Sequence, residues 1–351
     1  MLYIDYSAKR LFEFCPWAWF ERYVNKRKAR EREGQRNDPL TLGSLVHKGL
    51  EAWYKNGNID TEMAQSVSEL NPTPECLAEA STLVSNYIST YPQELWTPRL
   101  FEHPLHRTLF NECELVAKID GSFSLEEQIR IPGGWQGEGI ELESGMYGLE
   151  HKTKSANIDK GLYVKSWQTN LQAAFQLLAL REHFENVRGI LVNVLEKPRP
   201  YVPKCVCKNC KNLLERATYV ATASGHMCPI CGAEQVLSAL KGPRVERKYE
   251  CWRFLVTREE GQLAGSLDEI IQTSKDIEAM LDHGMEARPP NRENCVTPRQ
   301  NKTCEYFTPH LYNTGTAGTE FQDQEDYVGG GMFGFVPAQN LLDTRVRSVV
   351  E

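Results

Sequence analysis

Apolar residues along this chain change period several times, and the changes divide it into elements. From Ser7 to about Arg30, Leu11, Phe12, Phe14, Trp17, Trp19 and Phe20 predict one helix with an aromatic-rich side. Leu42 to Tyr54 and Glu75 to Tyr91 predict two more helices, after which Pro92 and Pro98 end helical continuity. Glu114 to Asp120 reads as a strand, Pro132-Gly133-Gly134 as a turn, and the residues after Gly145 as the next strand. Tyr163 to Phe184, rich in Gln, Ala and Leu, predicts a helix, and Gly189 to Leu195 a buried strand. A cysteine-rich segment from Lys197 to Lys241 interrupts the pattern, which resumes with a strand at Cys251–Thr257 and a helix over Glu259–Asp282. The tail after His310, with Gly329-Gly330-Gly331, has no clear period, and no internal repeat is visible. The order predicts an α/β core carrying an inserted module.

Composition narrows this little. The 351 residues are 41% hydrophobic and 25% charged, ordinary for a globular chain with a sizeable core. A net charge of -7 does not announce a nucleic-acid binder, but binding depends on local patches, and Asn25-Lys26-Arg27-Lys28-Ala29-Arg30 is one. No apolar run approaches the roughly 20 residues that span a bilayer, and Met1-Leu2-Tyr3-Ile4-Asp5 lacks a secretory layout. The expectation is a cytoplasmic protein with no membrane partner. There, 11 cysteines point to metal ligation or free thiols rather than disulfides.

The candidate chemistry lies in Tyr147-Gly148-Leu149-Glu150-His151-Lys152-Thr153. Alternate strand residues share a face, so Glu150 and Lys152 project together and His151 the other way. If Asp120 ends a neighbouring strand, two carboxylates and a lysine converge. Such a group suits a hard divalent cation and an anionic substrate. On the second helix Gly43, His47 and Glu51 share a face. Gly43 would let the helix pack closely on a strand, and His47 offers an imidazole ligand.

The ordered set Gly43-x-x-x-His47-x-x-Leu50-Glu51, Lys118-Ile119-Asp120-Gly121, Glu150-x-Lys152 and Gln172 resembles the RecB-like branch of the PD-(D/E)XK nuclease superfamily, which includes phage and CRISPR-associated exonucleases. The resemblance spans residues 7 to 310 apart from the insertion. It implies a restriction-endonuclease-like core, a central mixed sheet flanked by helices. It further implies that Asp120, Glu150 and His47 hold Mg2+ or Mn2+, that Lys152 positions water or stabilises phosphate charge, and that Gln172 contacts substrate or orients the site. This chain departs from the family's Gln-x-x-x-Tyr helix, with Gln176 at the tyrosine position.

Cys207-x-x-Cys210, seventeen residues and Cys228-x-x-Cys231 have zinc-ribbon spacing, four thiolates suiting a tetrahedral Zn2+. Cys205 is an alternative to Cys207. The segment has few large apolar residues, so a metal would substitute for a core. A second set, Cys15, Cys295, Cys304 and His310, follows the resemblance's layout for a [4Fe-4S] cluster that joins the chain ends, with histidine at the last cysteine position. Three Cys and one His equally suit zinc, and an eroded site of packed cysteines is the competing reading.

Together these predict a nuclease domain over 1–196 and 248–310, a zinc ribbon over 197–247 and a tail over 311–351. The expected function is a metal-dependent deoxyribonuclease, an exonuclease acting on DNA with free ends or single strands, in DNA repair, recombination or phage replication. Its partners would be DNA and a helicase, recombination or phage replication protein. A non-catalytic DNA-binding or assembly factor that kept the fold is the alternative. The tryptophans and Arg22 could line a strand path, although core packing is the simpler role for Trp17 and Trp19.

Overall fold

A computed structural model describes residues 1–29, 38–55, 57–96, 98–155, 158–198, 204–215, 219–222, 225–235, 249–283, 296–297, 302–303 and 321–323. Its centre is a six-stranded mixed sheet. The strands are β1 (Leu2–Ile4), β2 (Pro98–Phe110), β3 (Cys113–Leu125), β4 (Gly145–Ser155), β5 (Val187–Lys197) and β6 (Glu250–Val256). The sheet runs β1-β3-β4-β5-β6, with β2 also paired along β3. β1 lies parallel to β3 and β4 parallel to β5, while β2–β3, β3–β4 and β5–β6 are antiparallel.

Helices cover both faces. They are α1 (Tyr6–Phe14), α2 (Pro16–Tyr23), α3 (Asp38–Tyr54), α4 (Ile59–Leu70), α5 (Pro74–Thr90), α6 (Lys160–Trp167), α7 (Leu171–His183) and α8 (Glu260–His283). The strand period of two assigns the layers. Ile190, Val192 and Val194 of β5 join α1, α7 and α8 in one core. Leu195 joins Leu45, Val46, Leu50 and Tyr87 of α3 and α5 in the other, and Leu191 packs with Phe123 and Tyr147 on that side. Burial on both faces explains why β5 reads as a continuous apolar run.

The expected architecture is present, with three local differences. The first helix is two helices. Pro16 pushes Cys15 into an extended conformation (φ −160°, ψ 110°) and opens α2 at its first turn. The chain then leaves the helix at Tyr23 and forms a short strand, Arg27–Ala29, paired with Phe321–Asp323. The helix expected over Tyr163–Phe184 is likewise two, because Asn170 is extended and caps α7, accepting from the Gln172 amide at 2.8 Å. The composition also concealed α4 and the long strand β2, whose mixed polar sequence carries no clean period.

Gly49, not Gly43, is the glycine that close packing requires. A Cβ at Gly49 would lie 2.8 Å from Val84 Cγ2, whereas one at Gly43 would sit in ordinary contact, 3.8 Å from Thr153 Oγ1. Between β5 and β6 in sequence lie two small sheets, 204–206 with 213–215, and 220–221 with 226–227 and 234–235. Among the described residues no helix is long and apolar enough to cross a membrane.

Candidate active site

Three parts of the fold meet where β3 and β4 separate. The register pairs Gly121 with Leu149, and one residue further Asp120 reaches across so that its Oδ2 accepts from the His151 amide at 2.6 Å. α3 crosses this end of the sheet and directs His47 at Asp120. The His47 Nδ1 lies 3.3 Å from Asp120 Oδ1 and 3.3 Å from Glu102 Oε1, while Nε2 lies 3.0 Å from the His151 carbonyl oxygen. His47, Glu102 and Asp120 each bring one ligand atom into a group whose atoms all lie within 4.8 Å of one another.

Glu102 was not foreseen. It lies on β2 between Phe101, the partner of Gly121, and His103, the partner of Ile119, so it stands opposite Asp120. Its φ of +45° is left-handed, rare for a residue with a Cβ and a mark of local strain of about 1–3 kcal/mol. Lys118 pairs with its other oxygen. A Glu in a strand of mixed composition gives no signal by itself; only cross-strand register places it against Asp120.

Glu150 and Lys152 share the opposite face of β4, as the alternation predicts. Glu150 is 1% exposed, and both oxygens are engaged: Oε1 with Lys152 Nζ and with Gln172 Nε2 at 2.8 Å, Oε2 with Gln176 Nε2 at 2.6 Å. Gln172 and Gln176 are one turn apart on α7, so one helix face clamps the carboxylate. The structure thus gives Gln176 a role at the position where the sequence departs from the Gln-x-x-x-Tyr pattern. Gly148 permits the approach of α7, since a Cβ there would meet Leu180 Cδ1 at 2.9 Å. Lys152 Nζ lies 5.7 Å from the Trp167 ring centroid, within cation–π range.

The electrostatics follow from burial and proximity. Burial favours a neutral His47, yet the Asp120 and Glu102 carboxylates raise its pKa well above the usual histidine value. Burial would raise Asp120, but the His47 cation, with His151 and Lys152, holds it well below the usual carboxylate range. Burial would raise Glu102, but the hydrogen bond and charge of His47, together with the bond from Lys118, leave it lowered. Glu150 is raised, by burial first and then by Asp120, against the pull of Lys152. Burial would lower Lys152, but Glu150 and Asp120 raise it.

The remaining expectations divide. Glu51 turns to Lys55 at 2.6 Å and Lys48 at 3.3 Å and is outside the His47 group. Trp19 is core, its ring packed on Phe12 and Tyr23. The Sγ atoms of Cys207, Cys210, Cys228 and Cys231 all lie within 4.8 Å of one another, with Cys207–Cys231 at 3.6 Å and Cys210–Cys228 at 3.8 Å. A tetrahedral tetrathiolate with metal–sulfur bonds of about 2.3 Å has sulfur–sulfur edges of about 3.8 Å. The two motifs fold alike. Lys211 donates to the Cys207 carbonyl and Gly232 to the Cys228 carbonyl, both at 2.9 Å, and both residues are left-handed (φ +59° and +67°). Cys207 is thus one of the four thiols that this group brings together. Of the second set, Cys15 is wholly buried between α1 and α2. Cys295, Cys304 and His310 lie outside the described residues.

The family model of the PD-(D/E)XK nuclease superfamily matches residues 6–306. A crystal structure from Eubacterium rectale, named "Putative exonuclease", is similar at 14% identity, covering 86% of this chain and 89% of that one with a TM-score of 0.45. No curated protein matches the chain.

Proposed function

The chain belongs to the PD-(D/E)XK nuclease superfamily, and from that premise we propose that it is a RecB-like, Mg2+- or Mn2+-dependent deoxyribonuclease that works as an exonuclease on DNA ends or single strands. The observation that carries the reading is the setting of His47. With Nε2 donating to the His151 carbonyl, a neutral ring turns the bare Nδ1 lone pair toward Asp120 and Glu102. Three acceptors facing one point repel unless a cation lies between them. A proton on Nδ1 meets that need in the metal-free protein, and a divalent ion meets it when the site is loaded.

The chemistry such an ion supplies is polarisation of a phosphoryl oxygen and a lowered pKa for water. The chain's own residues do the rest. The His151 backbone sets the orientation of His47 and of Asp120, as outer partners of ligands commonly do. Asp120, Glu102 and His47 are assigned as ligands, with Glu150, whose oxygens Lys152, Gln172 and Gln176 hold, as a further one. Gln172 and Gln176 hold Glu150, and Glu150 holds the Lys152 ammonium, which positions the attacking water or stabilises charge developing on the phosphate.

We further assign structural Zn2+ to the four-thiol cluster, and a [4Fe-4S] cluster or a second Zn2+ to Cys15, Cys295, Cys304 and His310. The ribbon over 197–247 is then a module set into a nuclease domain of 1–196 and 248–310. The setting would be DNA processing, recombination or phage replication beside a helicase or recombination partner. End-labelled DNA incubated with Mg2+ or Mn2+ tests the central reading. Shortened products from the wild type and none from Asp120→Ala or Lys152→Ala are expected; cleavage that survives both substitutions would remove these residues from catalysis.

A further inference from the structure

On the face of β4 turned away from Glu150 and Lys152, His151 enters a buried polar cluster that the chemistry above leaves unused. Its register partner on β5 is Asn193, whose partner on β6 is Arg253. Asn193 Nδ2 lies 3.3 Å from His151 Nδ1, and Arg253 Nε donates to Asn193 Oδ1 at 2.7 Å. Arg253 is wholly buried. It donates to Tyr87 Oη at 2.8 Å, pairs with Glu94 through both terminal nitrogens, and lies 3.4 Å from the Tyr91 ring centroid. Tyr54, two turns beyond His47 on α3, is 2.7 Å from Tyr87 Oη and stacks obliquely on His151 with centroids 5.8 Å apart.

This chain of bonds has one self-consistent direction. A guanidinium only donates, so Arg253 must face the oxygen of the Asn193 amide. The amide's NH2 is thereby aimed at His151, whose Nδ1 must accept, and the ring hydrogen belongs on Nε2. His151 is also the residue whose main chain touches two of the assigned ligands: its N–H holds Asp120 Oδ2 and its carbonyl receives His47 Nε2. The residue whose side chain Asn193 seats is thus the one whose main chain ties both Asp120 and His47.

We propose that Arg253 and Asn193 are positioning residues for the metal centre, acting through His151, an inference that rests on the centre proposed above. The competing role is a buried ion pair that merely holds β5 and β6 against α5. Asn193→Asp separates the two. It keeps the size of the side chain and its contact with Arg253, but replaces the donor facing His151 with a second acceptor. Mn2+ alone is the probe, free ion being read by electron paramagnetic resonance on the full chain without DNA. We expect Asn193→Asp to weaken Mn2+ binding by about 10- to 100-fold while circular dichroism and the thermal midpoint stay near wild type. Folded Asn193→Asp that binds Mn2+ within about twofold of wild type overturns the proposal. Should Asn193→Asp fail to fold, His151→Gln and His151→Leu replace it. Gln keeps an acceptor for Asn193 and should bind Mn2+ within about threefold of wild type, whereas Leu should lose about 10- to 100-fold; equal behaviour overturns the proposal. Wild-type protein whose Mn2+ binding is unchanged by Asp120→Ala would instead sink the reading of the centre itself.

Discussion

Among the described residues, the two clusters whose donor atoms could hold a metal ion are built in opposite ways. The four thiols come from two short motifs, each folding its own turn, with matching hydrogen bonds at Cys207 and Cys228 and matching left-handed residues at Lys211 and Gly232. The His47 group draws on α3, β2 and β3, and its neighbours Glu150, Lys152, Gln172 and Gln176 on β4 and α7. The first cluster needs only local chain and an ion. The second exists only after five elements have packed. A ligand lost from the ribbon should therefore cost local order and leave the core standing, whereas a residue lost from the nuclease centre should cost activity without loss of fold.

The largest effect expected from this difference is on catalysis. Asp120→Ala or Lys152→Ala should lower the cleavage rate by about 10³-fold or more, with the melting temperature nearly kept, as timed assays and calorimetry would record. A rate loss accompanied by collapse of the fold would erase the contrast. Next, Cys228→Ser should release one zinc per chain in elemental analysis and expose 204–235 to protease, while β4 and α7 keep their protection. Global unfolding of that variant would mean that the ribbon braces the core.

Smaller effects sharpen the picture inside the centre. Gln176→Leu strands the buried Oε2 of Glu150 without a donor. It should cost about 1–3 kcal/mol, or about 10- to 100-fold in rate, more than Gln176→Glu would if protonated, in the same end-labelled assay. Last are the glycines of α3. Gly49→Ala should destabilise by about 1–3 kcal/mol through its clash with Val84, while Gly43→Ala should stabilise by about 0.5–1 kcal/mol from helix propensity. Denaturant titration would separate them, and equal responses would show that α3 and α5 can shift apart.

Legibility followed the same division. The ribbon motifs could be read directly, since two Cys-x-x-Cys turns need nothing beyond their own residues. Glu150 and Lys152 were readable as a pair because strand alternation is a local rule. Pro16 and Asn170 carried readable break signals as well, yet the apolar runs around them suggested continuous helices. Glu102, Gln176 and Arg253 were not legible. Glu102 acts through its register opposite Asp120, Gln176 through one turn's offset from Gln172, and Arg253 through two strand pairings that lead to His151.

By itself the sequence determined most of the element types, though not α4 or β2, the alternation that sends Glu150 and Lys152 to one face and His151 to the other, and the spacing of the four ribbon thiols. These depend on backbone geometry over a few residues, which neighbouring side chains dictate. Only the tertiary structure decided that Glu102 joins His47 and Asp120, that Gln176 completes the hold on Glu150, and that a buried arginine faces the back of the site. Those contacts depend on sheet register and on how helices seat against it, quantities that arise from packing over the whole chain.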